Sequence, residues 1–356
     1  MGIDVLVVGA GFSGAVVAER MATKGYRVMV IDKRPHIGGN SMDFDWGGVR
    51  VHIYGPHIFH TRDEEVWKYL SRFTGWFHYK HRVLVEVDGE QIELPVNLKG
   101  IERFFGEEGV KVLIDAYGEG TRKTVFDLLQ SENEMIKEMG RWIYQNIFLG
   151  YNLKQWGKRP EDIDISVIAR VPVKISYDPW YFNDKYQGIP AQGYETLFKN
   201  LLSHPGIKLK LLTDFREIKE KADLVIYTGP IDEYFNYSEG KLPWRSMRFS
   251  FKRSEVRQSV AVINYPSTHE YLRTTDFSHF QDKLTDFTFI GRDFPESDGP
   301  PFYPVLTAKS LEILSKYKNL AEGEKHTVFL GRLGRFKYIN MDQAVKEALE
   351  LAKTLP

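Results

Sequence analysis

Cysteine is absent from this 356-residue chain. That excludes disulfides, thiolate metal sites and cysteine nucleophiles outright. Net charge is missing too: 48 Lys and Arg balance 48 Asp and Glu. No bulk field therefore favours nucleic acid or an anionic membrane, and any anion site must be built locally from arginines and helix ends. No apolar run approaches the roughly 20 residues needed to cross a bilayer. The apolar opening VLVVGAGFSG is broken by glycines and lacks a basic leader, so the expected address is the cytoplasm, without membrane insertion. Repeats, low-complexity tracts and long linkers are also lacking. The chain does have enough length to bury a core without staples. It is also rich in rings, with 19 Tyr and 23 Phe, a composition suited to holding flat and phosphorylated ligands.

The first 34 residues carry the strongest local signal. A buried strand, Ile3 to Val8, runs into Gly9, Gly11 and Gly14, followed by Phe12 and Ser13 inside an amphipathic helix that ends near Gly25. A second strand, Arg27 to Ile31, ends at Asp32, about 20 residues past the glycines, as a dinucleotide fingerprint requires. Gly9 allows the turn, Gly11 lets a pyrophosphate reach the backbone, and Gly14 lets helix and strand pack. The helix N-terminus faces the phosphates, and Asp32 accepts from a ribose hydroxyl. Lys33, Arg34, Gly38, Gly39 and Asn40 follow at once in DKRPHIGGNS. They resemble the second glycine pair of FAD-binding flavoproteins, which simple NAD dehydrogenases lack. ADLVIYTGP (222–230), with Thr228 and Gly229, resembles a later segment that closes such an FAD site. So does TVFLGRLGRFKYINMDQAVKEAL (327–349). No second GxGxxG occurs, so no dedicated nicotinamide domain is expected.

The expected fold class is α/β: a Rossmann-like FAD-binding domain assembled from discontinuous segments, with an inserted helical domain and an antiparallel β-sheet domain. Residues 1–75, 190–240 and 305–356 are assigned to the first. Helical periodicity over 100–158 places the insert at 98–165. Residues 76–97, 166–189 and 241–304 form the sheet domain, with strands expected at 81–97 (around a DG turn), 174–178, 245–253 and 259–266. The stretch 281–301 reads as the loosest.

Together, GAGFSGAVV, DKRPHIGGNS, YGPHIFHT, GYNLKQWG, ARVPVK, YQGIP, TGPIDEYF, AVINY, FYPV and GRLGRFKY resemble the UDP-galactopyranose mutase family, in the family's order and over nearly the whole chain. The resemblance implies an isomerase that interconverts UDP-galactopyranose and UDP-galactofuranose. Its reduced FAD uses N5 as a nucleophile on the anomeric carbon, with no net redox change. An external donor such as NAD(P)H would be needed only to activate the flavin. It also implies a homodimer serving cell-wall polysaccharide biosynthesis.

By motif, the family's diphosphate-clamping arginines fall on Arg170 and Arg273; a diphosphate leaving group needs forked positive donors. Phe148, Tyr151 and Trp156 fall on the uracil-stacking segment, bracketed by Gly150 and Gly157, which could let it move as a lid. Tyr181, Tyr303 and Tyr338 match phosphate-bonding tyrosines, Asn264 a residue by the sugar or flavin edge, and Arg332 the arginine beside the flavin. The YGPHIFHT loop would run along the flavin ring, placing His57, Ile58 and His60 there and leaving His52 as a structural bystander. Asn340 and Met341 complete the cofactor set. Asn340 is a departure, because the family pattern has aspartate there. It opens an alternative, a mutase for a related sugar nucleotide such as dTDP-fucopyranose or UDP-N-acetylgalactosamine. An FAD-dependent oxidoreductase would explain the glycines but not GYNLKQWG or the arginine–tyrosine set. The arginines and tyrosines argue against a noncatalytic FAD-binding protein. A metal at HIYGPHIFH finds no obvious ligand partners elsewhere in the chain.

Overall fold

The computed structural model describes residues 2–355. Its opening strand, Ile3–Val8, is the middle of a five-stranded parallel sheet ordered 207–210, 28–31, 3–8, 222–227 and 327–329. The apolar runs VMVI and VLVV predict such burial on both faces, and every residue of Val28–Ile31 is buried. The helix Phe12–Thr23 packs on this sheet, and the last helix, Met341–Thr354, packs on that helix through Val345, Ala348, Leu349 and Ala352. The sheet is thus built from the two ends of the chain and a middle segment.

A second, seven-stranded sheet runs in the order 303–304, 244–254, 288–296, 273–276, 262–264, 83–87 and 90–94. It is antiparallel except where Val262–Asn264 lies parallel to Val83–Val87. Its edge hairpin turns at Asp88 and Gly89, with φ of 51° and 80°, the left-handed pair that a DG hairpin turn demands. Two sequence expectations fail here. The stretch read as loosest holds the nine-residue strand Thr288–Glu296, paired along its whole length with Trp244–Ser254. The partner strand, not local pattern, organises it. Conversely, 174–178 is not a strand. Only Val173–Lys174 is extended, because the buried Lys174 ammonium draws the chain back on itself, donating to the Asp178 carboxylate and to the carbonyls of Asp178 and Trp180. The strand expected over 259–266 shrinks to Val262–Asn264.

Between the sheets in sequence come the helices Leu98–Tyr117, Val125–Leu129 and Glu134–Ile143. The last runs without a break into a π-helical turn, Tyr144–Leu149, and then into Gly150–Trp156. π-helical turns inside helices recur at functional sites, and this one carries Phe148 to the wall of the main cavity. A short three-stranded sheet, 59–61, 186–190 and 76–78, brings the histidine loop against YQGIP.

Candidate active site

At the carboxyl ends of the parallel strands the glycines do what their spacing predicts. A Cβ on Gly14 would stand 1.9 Å from the Gly9 carbonyl oxygen, so only glycine lets the helix start this close to the strand. Gly11 and Gly39 face each other as bare backbone; a Cβ on Gly39 would come within 3.1 Å of the Gly11 Cα. The first turn of the helix, with Phe12 and Ser13, has no side-chain cap, which leaves its N–H groups for an anion. Asp32 is buried and accepts from the Ala10 N–H at 2.8 Å and the Arg34 N–H at 2.9 Å, and an ionised carboxylate keeps lone pairs beyond those two bonds. Arg34 bonds Asn40 at 2.9 Å and lies over the Tyr54 ring. Gly38 turns with φ 84°. Thr228 ties the neighbouring strand to Val8, and Gly229 sits where a Cβ would strike the Tyr227 hydroxyl. The Lys33 ammonium is 3.5 Å from Glu233. The cradle fits a dinucleotide.

Beside the cradle opens a cavity of about 480 Å³. His57, Ile58, His60, Phe148, Tyr151, Trp156, Arg170, Tyr181, Asn264, Arg273, Tyr303, Arg332, Tyr338, Asn340 and Met341 all line it, though they come from segments spread over almost 300 residues. Of the five arginines that line it, Arg62, Arg122, Arg170, Arg273 and Arg332, the last three are held on different terms. Arg273 donates to the Asp293 carboxylate at 2.6 Å. Burial works against its charge, and Asp293 holds it protonated. Arg170 and Arg332 have no carboxylate partner among the described residues. Arg170 donates to the Tyr338 carbonyl and the Asn340 amide oxygen. Arg332 donates to the carbonyls of Phe302 and Ile339 at 3.3 and 2.7 Å. Burial pushes Arg332 down, but a guanidinium stays charged. Arg170 and Arg332 therefore bring to the cavity two positive charges without a carboxylate partner among the described residues.

The aromatic set surrounds them. Tyr338 lies between the two guanidiniums, 4.0 Å from that of Arg170 and 5.4 Å from that of Arg332. Trp156 packs edge-on against Tyr303 and Tyr338 at 5.9 and 5.4 Å. The hydroxyls of Tyr151, Tyr181, Tyr303 and Tyr338 bond no protein group among the described residues. Burial pushes Tyr151, Tyr181 and Tyr303 up, so they stay neutral donors. The Asn264 amide oxygen is buried with no partner, a polar atom at the cavity wall left for a ligand.

The histidine loop separates as the sequence indicates. His52 is wholly buried, stacked on Phe280 at 5.0 Å, and its Nδ1 accepts from the His57 N–H at 3.0 Å. His57 donates from Nδ1 to the Gly55 carbonyl at 2.8 Å; burial lowers it to about 4, so at neutral pH it is uncharged. His60 stacks on Phe182 at 3.7 Å and meets Asp184. Sequence reasoning missed Phe182, Asn183, Asp184, His81, Asn152 and Gln155, which also line the cavity. Their one signal is proximity to YQGIP, to GYNLKQWG or to the 83–87 strand. The lid reading of the glycines needs revision. Gly150 is helical, and a Cβ there would stand 2.6 Å from the Pro266 carbonyl oxygen. It serves close packing rather than hinge motion. Gly157, with φ 65°, ends the helix.

A match to the family described as UDP-galactopyranose mutase covers residues 146–338, and one to the NAD(P)-binding Rossmann-like domain covers residues 7–73. The chain belongs to the UDP-galactopyranose mutase family. With that membership the cradle is a flavin site and the chemistry is isomerisation. The Klebsiella pneumoniae protein named probable UDP-galactopyranose mutase is 36% identical over 98% of this chain and 94% of its own length. The dTDP-fucopyranose mutase of Escherichia coli is 34% identical over 98% and 97%. A crystal structure of reduced UDP-galactopyranose mutase shares the fold with a TM-score of 0.78, 15% identity, and coverage of 99% of this chain and 93% of its own. No helix among the described residues is long and apolar enough to cross a membrane.

Proposed function

We propose that this chain interconverts UDP-galactopyranose and UDP-galactofuranose with no net redox change. The observation that carries the reading is the pair of uncompensated arginines, Arg170 and Arg332, among phenol hydroxyls without partners, in a cavity that adjoins the dinucleotide cradle. The cradle around Gly11, Gly39 and Asp32 would hold FAD, which when bound and reduced would supply a nucleophilic N5 for the anomeric carbon. Arg170 and Arg273 take up charge as the bond from the anomeric carbon to UDP breaks, which favours the more charged transition state. Tyr181, Tyr303 and Tyr338 donate to phosphate oxygens without adding charge. Phe148, Tyr151 and Trp156 hold the flat base and exclude water from the cavity. His57, neutral and fixed by Gly55, shapes the floor where sugar and cofactor meet.

An external donor such as NAD(P)H reduces the flavin. The enzyme acts in the cytoplasm as a homodimer and feeds cell-wall polysaccharide synthesis. The purified protein should show a flavin spectrum and, once reduced with dithionite, convert UDP-galactofuranose to UDP-galactopyranose. Equal rates from oxidised and reduced protein would sink the mechanism. Asn340 on Arg170 supports a second reading, dTDP-fucopyranose as substrate. Turnover of that nucleotide far above UDP-galactose would establish it instead.

A further inference from the structure

His60 and Asp184 are 124 residues apart in sequence, yet His60 Nδ1 lies 2.8 Å from Asp184 Oδ2. The register explains the meeting. Phe59–Thr61 runs antiparallel to Tyr186–Pro190 with Gln187 opposite His60, so the residues leading into the second strand pass the histidine ring. Phe182 stacks on that ring at an interplanar angle of 15° and stops it from turning. The other carboxylate oxygen, Asp184 Oδ1, faces Arg62 Nε at 3.3 Å. Both ends of the carboxylate are therefore assigned.

Protonation follows from this geometry. Asp184 is held below the usual carboxylate range, chiefly by its hydrogen bond with His60 and against the effect of burial. An ionised carboxylate can only accept, so Nδ1 carries the proton. Nε2 then has a lone pair in the neutral ring. It has no protein partner and is not among the sealed polar atoms, and His60 lines the cavity. Strong donors crowd that cavity, with five guanidiniums and four phenols. They suit a diphosphate, whereas a hexose also presents hydroxyl donors and needs acceptors.

We propose that Asp184 is a positioning residue that commits His60 to the Nδ1–H tautomer, so that Nε2 accepts a hydrogen bond from a hydroxyl of the sugar. The identity of the ligand rests on the function proposed above; the tautomer does not. Asp184→Asn separates this role from a plain staple between strands. Arg62 retains the amide oxygen, the amide nitrogen donates to Nδ1, and the contact survives while the proton moves to Nε2. The test is two-bond ¹H–¹⁵N correlation of the full-length, flavin-loaded protein at about pH 8.5, above the ordinary imidazole value. Calorimetric UDP binding and steady-state kinetics accompany it. Wild type should show Nδ1–H and D184N Nε2–H. D184N should raise KM for the sugar nucleotide about tenfold while its affinity for UDP, which has no sugar, stays within about twofold. A wild-type Nε2–H tautomer would overturn the proposal, and that measurement needs no variant to fold. So would a D184N protein whose tautomer flips while KM and kcat stay unchanged. Loss of UDP and sugar-nucleotide affinity in equal measure would show a structural role and overturn it as well. A wild-type enzyme that turned over no nucleotide sugar would fail the proposed function by a different readout, with the tautomer assignment intact.

Discussion

The Arg170 guanidinium lies over the Tyr338 ring, 4.0 Å from its centroid, and donates to the amide oxygen of Asn340. The contact orients the cation without neutralising it. A carboxylate in place of that amide would pair with Arg170 and remove charge from the cavity where, on the proposed function, the diphosphate binds. Asn340→Asp is therefore expected to weaken binding of UDP and of UDP-sugars. A loss of about tenfold corresponds to about 1.4 kcal/mol. Calorimetry with UDP checks it, and tighter binding by N340D would contradict the charge argument.

Arg245 makes a second prediction. It is buried, and its guanidinium donates to the carbonyls of Gln155 and Lys154 at 2.8 and 3.0 Å and to Ser297 Oγ at 2.8 Å. It ties the end of the Gly150–Trp156 helix, and with it Trp156, to the antiparallel sheet. Hydrogen bonds to a charged group contribute about 1.5–3 kcal/mol each. Arg245→Ala should lower Tm by several degrees and expose the 150–165 region to proteolysis. Arg245→Lys should recover only part of both, since a point charge cannot span the three acceptors. Unchanged cleavage kinetics in R245A would remove this clamp.

Close packing at Gly150 gives a third. The Cβ of Gly150→Ala would press on the Pro266 carbonyl at 2.6 Å, backbone that cannot swing aside as a side chain would. Overpacking of this kind costs about 1–3 kcal/mol. Helix propensity alone would favour alanine by about 1 kcal/mol. Thermal unfolding decides between them: G150A should melt lower, and a rise in Tm would show that the contact gives way.

Acid should loosen the fold through its buried histidines. Burial drives His52 far down, His57 to about 4 and His81 to about 3. Each is neutral when folded but binds a proton near pH 6.5 once unfolded. The unfolded state then holds more protons, so stability falls as pH drops below about 6.5, by about 1.4 kcal/mol per pH unit per group until the folded histidine itself protonates. The gradient flattens first for His57, near pH 4. Urea unfolding between pH 7.5 and 5 measures the slope. His52→Gln preserves an acceptor for the His57 N–H and should reduce the slope by about one proton.

Much of the cradle was legible because its constraints are local. Gly9, Gly14 and Asp32 act within one strand–turn–helix unit, and Asp88–Gly89 needs only its own φ values. Strand Thr288–Glu296 was not legible, because GRDFPE has little alternation and is extended by pairing with a strand some 40 residues earlier. The 174–178 segment misled for the opposite reason: Ile175 and Tyr177 suggest a strand, and one buried ammonium overrides them. Asp184 carried no sequence mark as a site residue. Its relation to His60 exists only once YQGIP lies beside the histidine loop. The motif resemblance named the arginines and tyrosines; only the coordinates show which guanidiniums lack a counter-charge.

The parallel sheet also dictates when the molecule can be completed. Ile3–Val8 is synthesised some 220 residues before its neighbour Ala222–Tyr227, which leaves the ribosome on the order of 10–40 seconds later at usual elongation rates. The strand Thr327–Phe329 and the helix that covers Phe12–Thr23 come later still. Throughout that interval the Ile3–Val8 strand has an unpaired apolar edge on that side, and the cofactor cradle lacks its later wall. The order of synthesis thus makes completion of the cradle a late event.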